Sequence, residues 1–159
     1  MKTHKTIILT LLTVFFIGCK TEDLSLKKLD LIPADKYYSS DIVPEVYKTI
    51  YGTWKVTGTS GGFSGMGYTK DFDYLILKEN GIFGILRNDS LIAYGKLNLL
   101  QTDPKIYINA LYCGFEFEKS ANIELNADKE KYFQLTGKDT LSLIAPCCDR
   151  FNTHLIRKQ

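Results

Sequence analysis

The chain has 159 residues, of which 45% are hydrophobic and 13% aromatic, and its formal net charge is +2 at pH 7. This length suits one domain rather than two. Removal of an N-terminal signal would take away Lys2 and Lys5 and leave 18 basic against 18 acidic residues, a balance that argues against a nucleic-acid-binding protein, which needs a basic surface.

The N-terminus has the features of a cleaved secretory signal. A basic start precedes an apolar run from Ile7 to Ile17, which is too short to span a bilayer as a permanent helix. Gly18-Cys19 then resembles the lipobox of bacterial lipoproteins. The resemblance implies acyl chains on Cys19, so that the membrane would be a partner through the N-terminal lipid. The alternative is an ordinary signal peptide in which Cys19 is incidental.

Residues 19–36 are predicted to form the lipidated cysteine and a flexible tether, between a signal peptide at 1–18 and a single barrel domain at 37–159. The tether is polar and charged, with scattered leucines and no sustained period. Lys20-Thr21-Glu22-Asp23 resembles the lysine-plus-acid signals of some Gram-negative surface lipoproteins, although a solvated linker also explains it. The expected location is the outer membrane, on its periplasmic or cell-surface side.

A short helix is predicted directly before the first strand. Pro44 suits the first turn of a helix and Gly52 can end it. One helical face is formed by four apolar residues at i, i+3, i+4 and i+7, which are Val43, Val46, Tyr47 and Ile50.

The rest of the chain is predicted to be nine or ten short strands joined by tight turns. Asn80-Gly81 between two apolar runs is a strong hairpin signal. Regular spacing without intervening helices predicts an antiparallel barrel or sandwich, and closure without sheet edges favours the up-and-down barrel, with about eight to ten strands. The strand-like segments are 51–58, 72–77, 82–87, 91–94, 105–110, 114–118, 122–125, 131–135, 140–144 and 151–156.

Gly52-Thr53-Trp54, preceded by the helix and followed by a long loop, resembles the Gly-x-Trp opening of lipocalins. The likeness is closer to the divergent lipocalin-like lipoproteins of the Gram-negative envelope. It implies that Trp54 closes one end of the barrel under a cationic side chain, from Arg157 or Arg150. The alternative is a core tryptophan in another kind of small β domain.

The resemblance also implies a ligand site. The glycine-rich segment 59–68 lacks the ending of a phosphate loop and is interpreted as a flap over the barrel mouth, or else as a disordered glycine loop. Gly58 is expected to face inward with Val56. The predicted ligand-contacting residues are Trp54, Val56, Phe63, Met66 and Tyr68.

The remaining chemistry is sparse, and no enzyme, cofactor or metal site is predicted. An oxidising compartment favours a disulfide between Cys113 and either Cys147 or Cys148; the alternatives are the vicinal pair and three free buried cysteines. His154 is the only histidine outside the signal and is expected to be half exposed on a strand.

Two turns, Asp89-Ser90-Leu91 and Asp139-Thr140-Leu141, resemble a bacterial O-glycosylation sequon, although turn chemistry also explains them. We expect a lipid-anchored envelope protein whose barrel binds or carries a small apolar molecule. The alternative is a structural or protein-interaction module with a filled barrel.

Overall fold

Eight antiparallel strands form a closed barrel in which each strand pairs with the next and the last pairs with the first. The computed structural model describes Leu29 and residues 45–62, 69–99, 110–147 and 149–159. The strands are β1 (Gly52–Gly61), β2 (Tyr74–Leu77), β3 (Ile82–Arg87), β4 (Ser90–Leu99), β5 (Leu111–Lys119), β6 (Glu130–Thr136), β7 (Thr140–Ile144) and β8 (Phe151–Arg157).

Two short helices complete the described elements. The 3-10 helix η1 (Glu45–Ile50) leads into β1, and the α-helix α1 (Glu124–Ala127) lies between β5 and β6. The predicted all-β, up-and-down, lipocalin-like barrel with a short helix before its first strand is therefore confirmed. Within the part of the chain that the structure describes, no helix has the length and hydropathy that a membrane crossing requires.

Tight turns explain why neighbouring strands pair in sequence order. At the predicted β2–β3 hairpin, Gly81 has a φ of 78°, and the Asn80 side chain accepts a hydrogen bond from the Ile82 amide at 3.2 Å. Asn88 and Asp89, between β3 and β4, have φ values of 50° and 58°. Consecutive left-handed residues match the twist of a two-residue hairpin.

The connections define two ends of the barrel. We call the end with η1 and the β2–β3 and β6–β7 turns the base. The opposite end, with the β1–β2 and β3–β4 connections, α1 and the β7–β8 turn, is the mouth.

One predicted strand is wrong. Asn122 and Ile123 precede α1 and Glu124 and Leu125 begin it, so no strand forms here, and the helix is followed by β6. The alternation of the apolar Ile123 and Leu125 predicted a strand here. Both side chains are buried, but they face the barrel interior from the start of α1 at the mouth. The Asp71 carboxylate accepts the amide hydrogen of Glu124 at 2.6 Å, which satisfies one donor at the helix start. The predicted strand at 105–110 lies almost entirely outside the described residues.

The outer face of β2, β3 and β4 is unusually apolar. Strand β3 is buried on both faces along most of its length. A second apolar cluster lies outside the barrel on these strands and includes Leu29, the one described residue that precedes η1. The cluster consists of Leu29, Ile76, Ile82, Leu86 and Leu91, with Tyr74 and Tyr94 packed against it.

Candidate functional site

Trp54 closes the base of the barrel. Its indole N–H donates to the carbonyl oxygen of Ile50 in η1 at 2.6 Å, and the Arg157 guanidinium lies 4.2 Å from the ring centroid, close enough for a cation–π interaction. Arg157 from the last strand, rather than Arg150, is therefore the cation over the tryptophan.

Arg157 also holds η1 against the barrel. It donates to the carbonyl oxygen of Tyr51 at 2.9 Å and to that of Thr49. Gly52 leaves room for this arrangement, because a Cβ there would lie 2.7 Å from an Arg157 nitrogen, and its φ of 133° disfavours other residues. The base is thus a rigid closure in which three structural elements share one arginine.

Packed side chains of the described residues fill the barrel interior. A cavity large enough for a ligand would leave accessible surface on the side chains that line it. Instead, all eight strands contribute interior side chains with a solvent-exposed fraction of 0%, and these are Trp54, Leu75, Phe83, Ile85, Ala93, Cys113, Phe133, Leu141, Leu143 and Leu155. The described side chains therefore leave no ligand-sized space around these ten positions.

Aromatic rings account for much of this filling. Phe83 and Phe115 meet edge to face with centroids 4.9 Å apart, and Phe115 lies 5.7 Å from Phe133. Such contacts across an eight-stranded barrel occupy an interior that holds either side chains or one small ligand.

The predicted ligand-contacting residues do not form one site in the described part of the structure. Trp54 and Val56 are both buried in the packed core, so a ligand would reach them only if other side chains moved away. Gly58 was expected on the same inward face and is not. A β-bulge between Val56 and Gly58 brings Gly58 opposite His154, and this extra residue turns the strand over. Phe63, Met66 and Tyr68 lie outside the described residues.

The mouth carries charged and polar contacts over an apolar plug. Phe72, Ile123 and Leu125 belong to the interior cluster, and they reach it from the β1–β2 connection and from the α1 region. Beside them the Asp71 backbone carbonyl accepts from Arg87, which joins the same connection to the end of β3. The plug is thus tied to the barrel wall.

Lys131 is a charged residue in the interior at the mouth. It lies on β6 opposite Cys113, and its ammonium group donates to Asp128 and to the carbonyl oxygen of Phe151 at 2.8 Å. The side chains of Lys131 and Asp128 are only 2% and 8% exposed. Sequence reasoning missed this pair. The available signal was that Lys131 lies two residues before the buried Phe133 and therefore on the same, inward face of β6.

Two buried side-chain oxygens lack a protein partner among the described residues, the hydroxyl of Tyr51 and one carboxylate oxygen of Asp71. The pKa of Tyr51 is raised, chiefly by desolvation and further by Glu79 and Cys113. A neutral phenol at the base is therefore favoured.

Of the two predicted disulfides, Cys113–Cys147 is not formed, and pairing with Cys148 stays a prediction. Cys113 and Cys147 are both free thiols, and Cys148 lies outside the described residues. Cys113 faces the interior on β5, opposite Lys131, whereas Cys147 is exposed in the turn between β7 and β8. Burial raises the pKa of the Cys113 thiol well above its usual range, so it is a poor nucleophile.

His154 lies half-buried on the outer face, as predicted. Its Nε2 is 2.7 Å from the Ser60 hydroxyl and its Nδ1 is 3.3 Å from the Ser142 hydroxyl. Both nitrogens are thus engaged by serines from neighbouring strands. A carboxylate that would orient the ring for base catalysis is not among these contacts, so the cluster is interpreted as a cross-strand polar contact.

A shallow groove on the outer face of β4–β6 is a second surface feature. Tyr112 and Tyr132 stack across β5 and β6 with centroids 4.5 Å apart, and the Tyr112 hydroxyl donates to Glu130. Gly114, two residues after Tyr112 on β5, has no side chain and leaves the strand surface open there. The groove is lined by Asn98, Gly114, Phe115, Glu116, Phe117, Lys129 and Glu130.

No protein-family model, curated protein or solved structure matches this chain. Among the described residues, no group of three or more histidines, cysteines, aspartates and glutamates is placed to hold a metal ion. The turn residues Ser90 and Thr140 of the two sequon-like segments begin β4 and β7. Functional inference therefore rests on the geometry of the chain itself.

Proposed function

We propose that this chain is a lipid-anchored protein of the bacterial envelope whose barrel acts through its outer surface, as a structural or protein-interaction module. The observation that carries the proposal is the filled interior, in which side chains from all eight strands have no exposed surface. A carrier would need an apolar pocket that buries most of its ligand. The interior side chains occupy that volume themselves.

The lipid anchor is supported by the N-terminal sequence. The basic start, the short apolar run and Gly18-Cys19 have the order of a lipoprotein signal. Acylation at two positions would attach the mature chain stably, because each buried methylene contributes about 0.8 kcal/mol.

The β4–β6 groove is the best-supported contact surface on the described barrel. Tyrosine is enriched in protein interfaces because it combines a large apolar face with a polar hydroxyl. Glu130 accepts a hydrogen bond from Tyr112 of the stack and lines the groove together with Glu116, so a partner segment with basic and apolar side chains would complement it.

Ligand titration tests the filled interior. Fatty acids, retinoid-like compounds and haem would be titrated into the mature protein while the fluorescence of Trp54, its only tryptophan, is followed. Native mass spectrometry would look for co-purifying lipid. We expect no bound species and no saturable response.

A cavity variant supplies the positive control for this titration. Phe133→Ala removes a fully buried ring, at a cost of about 3–5 kcal/mol in unfolding free energy, and should bind a small apolar probe such as benzene. Saturable binding of any candidate by the unmodified protein would refute the filled-barrel proposal.

The anchor and the groove have separate tests. Cys19→Ala should release the protein from membranes, and a variant that still fractionates with membranes at high salt would contradict the anchor. A photo-crosslinker at position 116 should give a discrete product in cells, whereas one at position 58, on the outer face of β1, should not. Equal labelling from both positions would remove the groove as the contact surface.

Small-molecule carriage is the second candidate. The closed eight-stranded barrel and the Gly-x-Trp resemblance support it. It requires the interior side chains to move apart when a ligand enters, and the titration above distinguishes it from the first proposal.

A further inference from the structure

We propose that Leu29 pins the N-terminal tether into an apolar socket on the outer face of β2–β4, and thereby fixes which side of the barrel faces the membrane. The pinning stands on the described contacts alone. Its consequence for orientation rests on the proposed lipid anchor at Cys19.

The socket is built around a missing side chain. Gly84, in the middle of β3, pairs with Ile76 on one side and Tyr94 on the other. A Cβ at Gly84 would lie 2.6 Å from one methyl carbon of Leu29 and 3.1 Å from a methyl carbon of Leu91. The Leu29 side chain therefore occupies space that any other residue at position 84 would fill. Glycine inside a strand weakens it and often marks a close approach, and here the approaching group is Leu29.

The Leu29 side chain is fully buried in the socket. Leu29 has a solvent-exposed fraction of 0%, and it contacts an apolar cluster separate from the barrel interior. Left uncovered, the apolar residues of three adjacent strands would form the kind of exposed patch that promotes association. The socket thus explains both the burial of a tether residue and the apolar outer face of β3.

The same chain can supply the occupant. Fifteen residues separate Leu29 from η1 at the base, and they can extend to about 50 Å. The longest strands have ten residues, which corresponds to about 33 Å. The tether therefore has enough length to turn back from the base to the middle of β3.

Pinning changes the reach of the anchor. Nine residues lie between Cys19 and Leu29, against twenty-five between Cys19 and Glu45. Their maximum extensions are about 35 Å and about 90 Å, respectively. With Leu29 in its socket, the β2–β4 side is the membrane-proximal side, and β6–β8 face the opposite direction around the barrel.

Limited proteolysis tests the pinning in the mature chain purified in detergent. The sequence places Lys27-Lys28 directly before Leu29, so trypsin can report on the Lys28–Leu29 bond. Leu29→Ser removes the apolar side chain from the tether, and Gly84→Ala fills its space on the strand. We expect cleavage at this bond to become about 10- to 100-fold faster in each variant, the factor that corresponds to losing the burial of a leucine.

Two matched variants control this experiment. Leu29→Met keeps the volume and apolar character of the side chain and should remain protected. Gly58→Ala adds the same methyl group on the outer face of β1, where nothing lies within 4 Å of the new Cβ, and should also leave cleavage unchanged. Unchanged cleavage in both Leu29→Ser and Gly84→Ala would overturn the pinning, whatever the state of Cys19.

Oligomeric state identifies the source of the occupant. A monomer whose protection does not vary with protein concentration supports pinning within one chain. A dimer whose protection is lost on dilution would overturn it in favour of an exchanged tether from a second copy.

Energy transfer tests the orientation. A fluorophore on Asp89→Cys, in a Cys147→Ser/Cys148→Ser background, would lie at the exposed turn beside the socket. Transfer to labelled lipid headgroups in vesicles should fall when Gly84→Ala is added. Faster proteolysis with unchanged transfer would overturn the orientation while the pinning stands, and failure of the protein to bind vesicles would count against the proposed anchor instead.

Discussion

Neutralising Asp128 should destabilise the barrel far more than a typical surface substitution does. Lys131 lies inside the mouth, where Asp128 and the Phe151 carbonyl are its hydrogen-bond acceptors, and both charged side chains are almost fully buried. Asp128→Asn keeps the size of the side chain and leaves the ammonium group without a counter-charge. Removal of one partner of a buried ion pair typically costs about 3–5 kcal/mol.

That loss is large compared with the total stability of a domain of this size, which is about 5–15 kcal/mol. Lys131→Met should also be costly on its own, because it leaves the Asp128 carboxylate unpaired. The double variant Asp128→Asn/Lys131→Met should lose less than the sum of the two single variants, since it leaves no buried charge behind.

Equilibrium unfolding in urea, followed by the fluorescence of Trp54, measures these free energies. Trp54 lies at the base, at the opposite end of the barrel from the pair, so it reports on global unfolding. The denaturant slope should be unchanged between variants. Lys70→Met is the matched control, because Lys70 and Asp73 form an ion pair with side chains that are 46% and 28% exposed, and it should cost at most about 1 kcal/mol. A loss below about 1 kcal/mol for Asp128→Asn, or strict additivity in the double variant, would refute the reasoning.

Three smaller predictions concern individual side chains. The hydrogen bond to Glu130 is the main reason that the pKa of Tyr112 rises from 10.0 to about 12, so Glu130→Gln should lower the phenolate midpoint in an ultraviolet titration. The stability contributed by this shift is present below pH 10 and is lost as the pH rises through about 12; an unchanged midpoint would contradict the assignment. Cys113 should resist maleimide until the protein unfolds, whereas Cys147 should react at once, and early modification of Cys113 by peptide mapping would show that the interior opens. His154→Ala removes the hydrogen bonds to Ser60 and Ser142 and should cost about 1 kcal/mol for each of them, while membrane attachment stays intact. A destabilisation of several kcal/mol in urea unfolding would indicate a larger structural role for His154.

The barrel could be predicted because its evidence is local. Strand periodicity and turn chemistry, such as Asn80-Gly81, depend on neighbouring residues and are visible in sequence. The same locality explains the error at 122–125. Ile123 and Leu125 alternate like a strand, and the Asp71 carboxylate that caps α1 comes from a distant part of the chain.

The candidate site was harder to predict because it depends on packing between distant strands. The sequence contains enough aromatic residues either to line a pocket or to fill one. Only the pairing register brings Phe83, Phe115 and Phe133 into contact. The bulge at Val56 and Gly58 likewise follows from the pairing of β1 with β8, so the outward position of Gly58 had no local signal.

A filled barrel and a pinned tether together restrict where a partner can bind. If Leu29 occupies the β2–β4 face, that side of the barrel is covered by the chain itself and is held toward the lipid. The remaining outer surface consists of β5 to β8 and β1, and it contains the β4–β6 groove at one border and the His154 cluster near the other. The groove is lined by carboxylates and joined to the tyrosine stack through Glu130, which suits a protein contact, whereas the polar groups of the His154 cluster already bond one another. Loss of the crosslink at position 116 in Leu29→Ser would therefore link the two proposals, because a barrel that turns freely on a longer tether presents its groove in no fixed direction.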